Sequence, residues 1–137
     1  MDIIIEALPV ILIIGGLIAL NLYTSRWAQR RNINIVNSAI SLLDGIYGGC
    51  RYIGKEAEVV TTLRVETDRY GCYLTYAVQL CRTKSGHWFE FSFGTSHGGE
   101  IVFTRQTVKP LTEREARERL ESDPPKYFQI FGKPEVA

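Results

Sequence analysis

The sequence predicts an α+β protein with a single N-terminal transmembrane helix, an amphipathic helix, a four-stranded antiparallel meander and a C-terminal helix. Three observations carry this. Residues 3–23 form an apolar run whose only strongly polar members are Glu6 and Asn21. From residue 57 the apolar residues recur at every second position, in runs separated by turn residues. After Thr112 the period becomes helical again, opened by a Thr112-x-x-Glu115 pattern.

Crossing the hydrocarbon at about 1.5 Å per residue takes roughly 20 residues, and residues 3–23 supply 21. Glu6 and Asn21 lie near the ends, within reach of headgroups and water. Pro9 falls in the first turns, where few backbone bonds are lost. Gly15 and Gly16 at mid-span leave room for another helix to approach. Tyr23 and Trp27 stand where an interfacial aromatic belt belongs, and Arg26, Arg30 and Arg31 stand beside them, matched to anionic headgroups of the lipid bilayer. The start is acidic (Asp2, Glu6) and no small-x-small site follows the run, so a retained anchor is expected rather than a cleaved signal. Arginines after the run, with no Lys or Arg before it, put the C-terminal part on the cytoplasmic side of the inner (plasma) membrane. The expected organisation is an anchor over residues 1–24, a basic juxtamembrane linker over 25–32 and a small α+β domain over 33–137.

Within that domain, residues 33–47 read as the amphipathic helix. Val36, Ile40, Leu43 and Tyr47 recur at helical spacing, with Ile35, Ala39, Leu42 and Ile46 alongside; Gly45, Gly48 and Gly49 end it. Its polar side carries Asn and Ser instead of Lys and Arg, which favours packing on the sheet over lying on a membrane. Residues 57–66 are the first strand, with Val59, Thr61, Leu63 and Val65 alternating with polar residues. Residues 72–83 are the second, with Leu74, Tyr76, Val78 and Leu80 opposed to Tyr73, Thr75, Ala77, Gln79 and Cys81. Residues 88–93 are the third, with Phe89, Phe91 and Phe93 on one face, and residues 101–108 the fourth. Residues 68–71 and 84–86 are turns, and 94–99 (GTSHGG) read as a loop. Such short connections imply antiparallel neighbours. Thr112 opens the last helix, which runs to about Glu121 with Glu113–Arg117 and Glu115–Arg119 pairs. Asp123-Pro124-Pro125 stops it, and residues 126–131 form a final short helix.

The 137 residues carry a net charge of +1. Asp2 and Glu6 give the first 23 residues −2, leaving +3 on the rest, which is too mild for a nucleic-acid partner. The odd cysteine count (Cys50, Cys72, Cys81) without a CxxC suits a reducing compartment. Two histidines, His87 and His97, and scattered cysteines lack metal-site spacing, so neither metal nor other cofactor is expected. GTSHGG leads into a strand, whereas a phosphate cradle opens onto a helix N-terminus. Ser96 beside His97 lacks an orienting carboxylate. Tyr76, Trp88, Phe91 and His97 remain as the candidate partner or ligand surface.

Two resemblances add to this. Thr83-Lys84-Ser85-Gly86-His87-Trp88-Phe89, then Pro110-Leu111-Thr112-Glu113 with Glu115-Ala116 and Leu120, then Ile130-Phe131-Gly132, resemble small uncharacterised bacterial proteins with a TKxGxWF hairpin, a PLTxxEAxxWL helix and a terminal IFG. Arg119 stands where a Trp is common. This covers about two-fifths of the chain and implies a hairpin-plus-helix module with no known activity. Ile3-Ile4-Ile5-Glu6 followed by residues 10–20 resembles the N-terminus of type IV pilins, in which Glu6 would be the fifth residue once Met1 is removed. The basic leader ending in glycine is missing, and Asp2 takes the place of the usual aromatic.

The expected role is a non-enzymatic accessory or adaptor subunit that docks an unidentified membrane or cytoplasmic protein. One alternative is a pilin-like surface or filament subunit with an external domain. Another is a small ligand-binding or enzymatic domain with a cavity lined by Tyr76, Phe91 and His97.

Overall fold

The computed structural model describes the backbone of residues 2–98 and 100–137, and the side chains of these except 2–6, 24 and 25. Met1, the Glu6 side chain and Gly99, the last residue of the expected glycine loop, lie outside the described residues.

The chain is α+β. Helix α1 runs unbroken over Asp2–Ala39, and a 3-10 turn, Ile40–Leu42, follows it. A hairpin comes next, β1 (Asp44–Tyr47) and β2 (Cys50–Ile53), then a second 3-10 turn, Gly54–Glu56. Strands β3 (Ala57–Thr67), β4 (Leu74–Thr83), β5 (Trp88–Gly98) and β6 (Glu100–Leu111) pair in that order as an antiparallel meander. Helices α2 (Glu113–Leu120) and α3 (Pro124–Phe131) close the chain.

Both faces of the sheet are covered. Ile35, Val36, Ala39 and Ile40, spaced as one helix face, pack with Tyr52 of the hairpin onto Ala77, Cys81, Phe89, Phe91 and Phe93. Every second residue of a strand shares a face, so the three phenylalanines point together at α1, each 0% exposed. On the other face Val60, Leu80 and Trp88 meet Ala116 and Leu120 of α2, with Phe131 of α3 alongside. The Trp88 and Phe131 ring centres are 5.6 Å apart.

The structure corrects the sequence reading in several places. The helix expected over 33–47 is the tail of α1 and ends at Ala39. Residues 44–53 fold instead as a hairpin. Gly48 and Gly49 take φ 58° and 80°, the pair of positive values that a two-residue type I′ turn demands. Tyr47 faces Cys50 across that turn, and Arg51 grips the Asp44 carboxylate at 2.9 and 3.0 Å. Leu43 and Tyr47 still pack on the core, but Leu42 and Ile46 are exposed. Strand β4 begins at Leu74 rather than residue 72, because the Asp68 carboxylate accepts the Cys72 and Tyr73 N–H groups and holds them in the turn. The alternation along β4 holds from Ala77 to Cys81. Leu74, expected opposite Ala77, lies with it on the α1 side, beyond a register shift between Glu66 and Thr67.

The GTSHGG loop is strand as far as Gly98, since His97 pairs with Ile101 and Gly98 with Glu100. Gly94 lets the strands approach closely there, since a Cβ would sit 2.9 Å from Thr104 Oγ1, which would have to shift. The bulge opposite includes Arg105 at φ 50°. Residues 123–125 both end one helix and start the next. The Asp123 carboxylate accepts the Lys126 N–H, and Pro124 and Pro125 occupy the first helical positions, where a missing N–H costs nothing.

The capping box at Thr112 is present in both directions, Glu115 N–H to Thr112 Oγ1 and Thr112 N–H to Glu115 Oε1, each 3.2 Å. The Glu113–Arg117 pair forms at 3.5 Å. Arg119 instead donates to Glu90 of β5 at 2.6 Å, tying α2 to the sheet. Thr112→Ala is expected to destabilise the domain by about 0.5–2 kcal/mol. The Thr112 backbone N–H first, then its hydroxyl, hold the Glu115 carboxyl below its ordinary range. That contribution is complete above the unfolded-state pKa and is lost as pH falls through the lowered folded value. The melting-temperature gap between wild type and variant should therefore narrow on acidification, which parallel thermal melts at neutral and acid pH would read.

Candidate functional site at the junction of helix and domain

The N-terminal half of α1 is long and apolar enough to cross a membrane, and among the described residues none of its most apolar stretch is buried in the protein. Leu12, Ile13 and Leu17 are each more than half exposed. Burial begins at Ala28 and continues through Asn32, Ile35, Val36 and Ala39. One rod thus passes from a bare apolar half into the domain core. The linker expected over 25–32 is part of the same helix, with no break.

Tyr23, Arg26, Trp27 and Arg30 are all exposed around the helix just before it meets the domain. Arg31 behaves differently. Its guanidinium lies 4.9 Å from the Trp27 ring centre and 4.5 Å from that of Tyr73, and its Nη2 donates to the Cys72 carbonyl. Asn32, buried next to it, accepts the Leu74 N–H at 3.3 Å and donates to the Cys72 carbonyl at 3.4 Å. One turn on, Gln79 of β4, fully buried, donates to the Val36 carbonyl at 3.3 Å. These polar bonds fix the height and rotation of the helix on the sheet, which apolar contact alone leaves free to slide. A neutral Asn inside the apolar stripe of a helix is the sequence signal that would have pointed to this clamp.

The four residues expected as a partner or ligand surface do not converge. Phe91 is core under α1 and Trp88 is core under α3. Tyr76 is half-buried and lies below the Arg64 guanidinium, at 5.1 Å. It shares an open depression with Val78, Glu90 and Arg119 on the α2 side. His97 sits at the end of the sheet nearest the apolar half of α1. Its Nε2 lies 2.7 Å from the Leu74 carbonyl and 3.2 Å from Thr95 Oγ1, and its ring is 5.0 Å from Tyr73. The cavity that a ligand-binding reading needs from Tyr76, Phe91 and His97 is therefore not formed. What the junction does have is an open cleft of about 410 Å³ between α1 and the edge strand β3, lined by Gln29, Asn32, Ile33, Val65 and Thr67 among others. Ile33 and Val65 are 57% and 48% exposed.

At the far end of the domain, Thr83, Ser85 and His87 form a hydrogen-bonded turn, with Ser85 Oγ 3.4 Å from His87 Nδ1. Among the described residues no group of three His, Cys, Asp or Glu side chains gathers as a metal site. The three cysteines are free, Cys50 and Cys72 exposed and Cys81 buried, with burial pushing the Cys81 thiol up to about 12. Since the thiolate is the reacting form, an aromatic disulfide reagent in mildly alkaline buffer is expected to titrate two thiols in the folded protein. The third should appear only on denaturation. Rapid reaction of all three would place Cys81 outside the core.

No protein-family model matches the chain, and no curated protein or solved structure matches it.

Proposed function

We propose that this chain is a single-pass membrane protein whose domain lies on the cytoplasmic side of the plasma (inner) membrane and serves there as a non-enzymatic accessory or adaptor subunit for a protein partner. The observation that carries the reading is the uncovered apolar half of α1, continuous with a half that completes the core of the domain. Exposed apolar surface on that scale needs a covering phase, and hydrocarbon is the one that its length fits. Arg26, Arg30 and Arg31 at the C-terminal end of the apolar stretch support the inside orientation. The free cysteines accord with a reducing compartment. The absence of convergence among Tyr76, Phe91 and His97 weighs against a ligand or substrate site there, and the cleft between α1 and β3 is the better place for a partner segment.

One observation favours a second reading, the filament subunit. A single unbroken helix with a bare N-terminal half and a sheet-packed C-terminal half would also suit lateral packing of many copies. Protease treatment of intact and lysed cells separates the two. Protection of the domain until lysis, with the chain retained in the membrane pellet after alkaline carbonate, is expected. Cleavage on intact cells would move the domain outside and favour the filament. Recovery in the soluble fraction would remove the anchor altogether.

A further inference from the structure

We infer that the domain touches the bilayer a second time, through the tips of its β3–β4 and β5–β6 hairpins, which rest in the interfacial layer beside the emerging helix. The inference rests on the membrane-anchor reading above and adds a lipid-contacting surface to it.

Height along the helix is the first argument. Side chains of an α-helix lean toward its N-terminus, so the contact of Arg31 with the Cys72 carbonyl sets the β3–β4 turn level with the preceding turn of α1. The Arg31 guanidinium lies between the Trp27 and Tyr73 rings, so those rings share that level. Trp27 is the last exposed aromatic before the helix enters the domain. Tyr70 projects from the turn itself, three residues before Tyr73, and is 79% exposed. The second tip is held at the same level, because His97 reaches the Leu74 carbonyl and the Tyr73 ring. Ile101 pairs with His97 across that hairpin, and Val102 follows it. Ile101 and Val102 are 42% and 53% exposed.

The chemistry of the tips is the second argument. Tyrosine and aliphatic side chains at the rim of a domain, level with Trp27 and Arg31, match the interfacial zone, where ring and hydrocarbon sink below the headgroups and cations meet phosphate. Arg69 adds a cation at the β3–β4 turn. The acidic neighbours are largely turned to other work. Asp68 accepts the turn amides of Cys72 and Tyr73, and Glu66 pairs with Arg64 at 3.4 Å. Glu100 is left exposed at the second tip. The opposite end of the sheet, at the β4–β5 turn, presents Lys84, Ser85 and Gly86 with no such apolar side chains.

The test uses the full chain in vesicles of phosphatidylethanolamine and phosphatidylglycerol, with Cys50 and Cys72 replaced by Ser. A nitroxide is attached in turn through Leu12→Cys, Tyr70→Cys, Val102→Cys and Lys84→Cys, each leaving the other tip intact. Relaxation by oxygen, which favours lipid, is compared with relaxation by a neutral nickel chelate, which favours water. The expected result is a several-fold loss of nickel accessibility at 70 and 102 relative to 84, with 12 deeper still. If 12 is shielded while 70 and 102 are as open as 84, the anchor stands and the second contact is wrong, leaving the tips to a protein partner or to water. If 12 itself is open, the anchor reading falls and takes the inference with it.

Discussion

Phe91→Ala is expected to lower the stability of the domain by about 3–5 kcal/mol, the range for emptying a fully buried aromatic site. Phe91 is 0% exposed and stands in the middle of the row on β5 that receives α1. Phe93 lies 5.4 Å away ring to ring, and Phe103 meets Phe93 edge-on at 5.4 Å. The neighbours are themselves held by backbone pairing on both sides of β5, so they cannot collapse into the gap. The loss falls on the interface between sheet and α1, and membrane retention should survive it. Near-UV circular dichroism of the purified chain during denaturant unfolding measures the loss, and carbonate extraction checks the retention. A loss below about 1 kcal/mol would mean that α1 does not cover that face in solution.

Gly54→Ala is expected to be nearly as damaging, at the upper end of the roughly 1–3 kcal/mol seen for overpacking. A Cβ at Gly54 would lie 1.5 Å from the Ile40 carbonyl oxygen and 3.0 Å from the Leu43 Cβ. The obstacle is backbone at the exit of α1, so no rotamer change relieves it. The Gly54 N–H also donates to the Leu43 carbonyl at 2.8 Å, a bond that any retreat would stretch. The same substitution at Gly86, where nothing lies within 4 Å but φ is 89°, isolates the conformational cost of a turn glycine from the steric one. Thermal melts of both variants compare the two; equal effects would refute the close approach at Gly54.

The legible parts of this fold were those with a clean period. The apolar run and the Phe89–Phe91–Phe93 face carry helical or two-residue spacing and appear as elements of the expected kind. Residues 57–65 form the expected strand, but register shifts after Val59 and Thr62 break its alternation, so Val59 packs on the α1 side and Leu63 on the α2 side. The capping box at Thr112 was legible because its two partners are neighbours in sequence. The hairpin over 44–53 was masked because Leu43 and Tyr47 continue the helical spacing of Val36 and Ile40, although Gly48-Gly49 carried the turn signal. The Gly, Ser and His of residues 94–98 read as loop chemistry, yet Ile101, Val102 and Phe103 supplied them with a partner strand. The junction was legible as a basic, aromatic stretch. Asn32 within the apolar stripe signalled a polar contact there, but that its partners and those of Arg31 are Cys72 and Leu74, some forty positions on, depends on long-range pairing that no local pattern encodes.

The absence of any break in α1 between its oily portion and Ala39 has a mechanical consequence. Each residue of such a rod turns about 100° and advances about 1.5 Å. A single leucine inserted ahead of Tyr23 would therefore swivel the entire sheet about the rod's axis by more than a quarter circle, while barely lifting it. The compass bearing of the domain is written into the length of its stem.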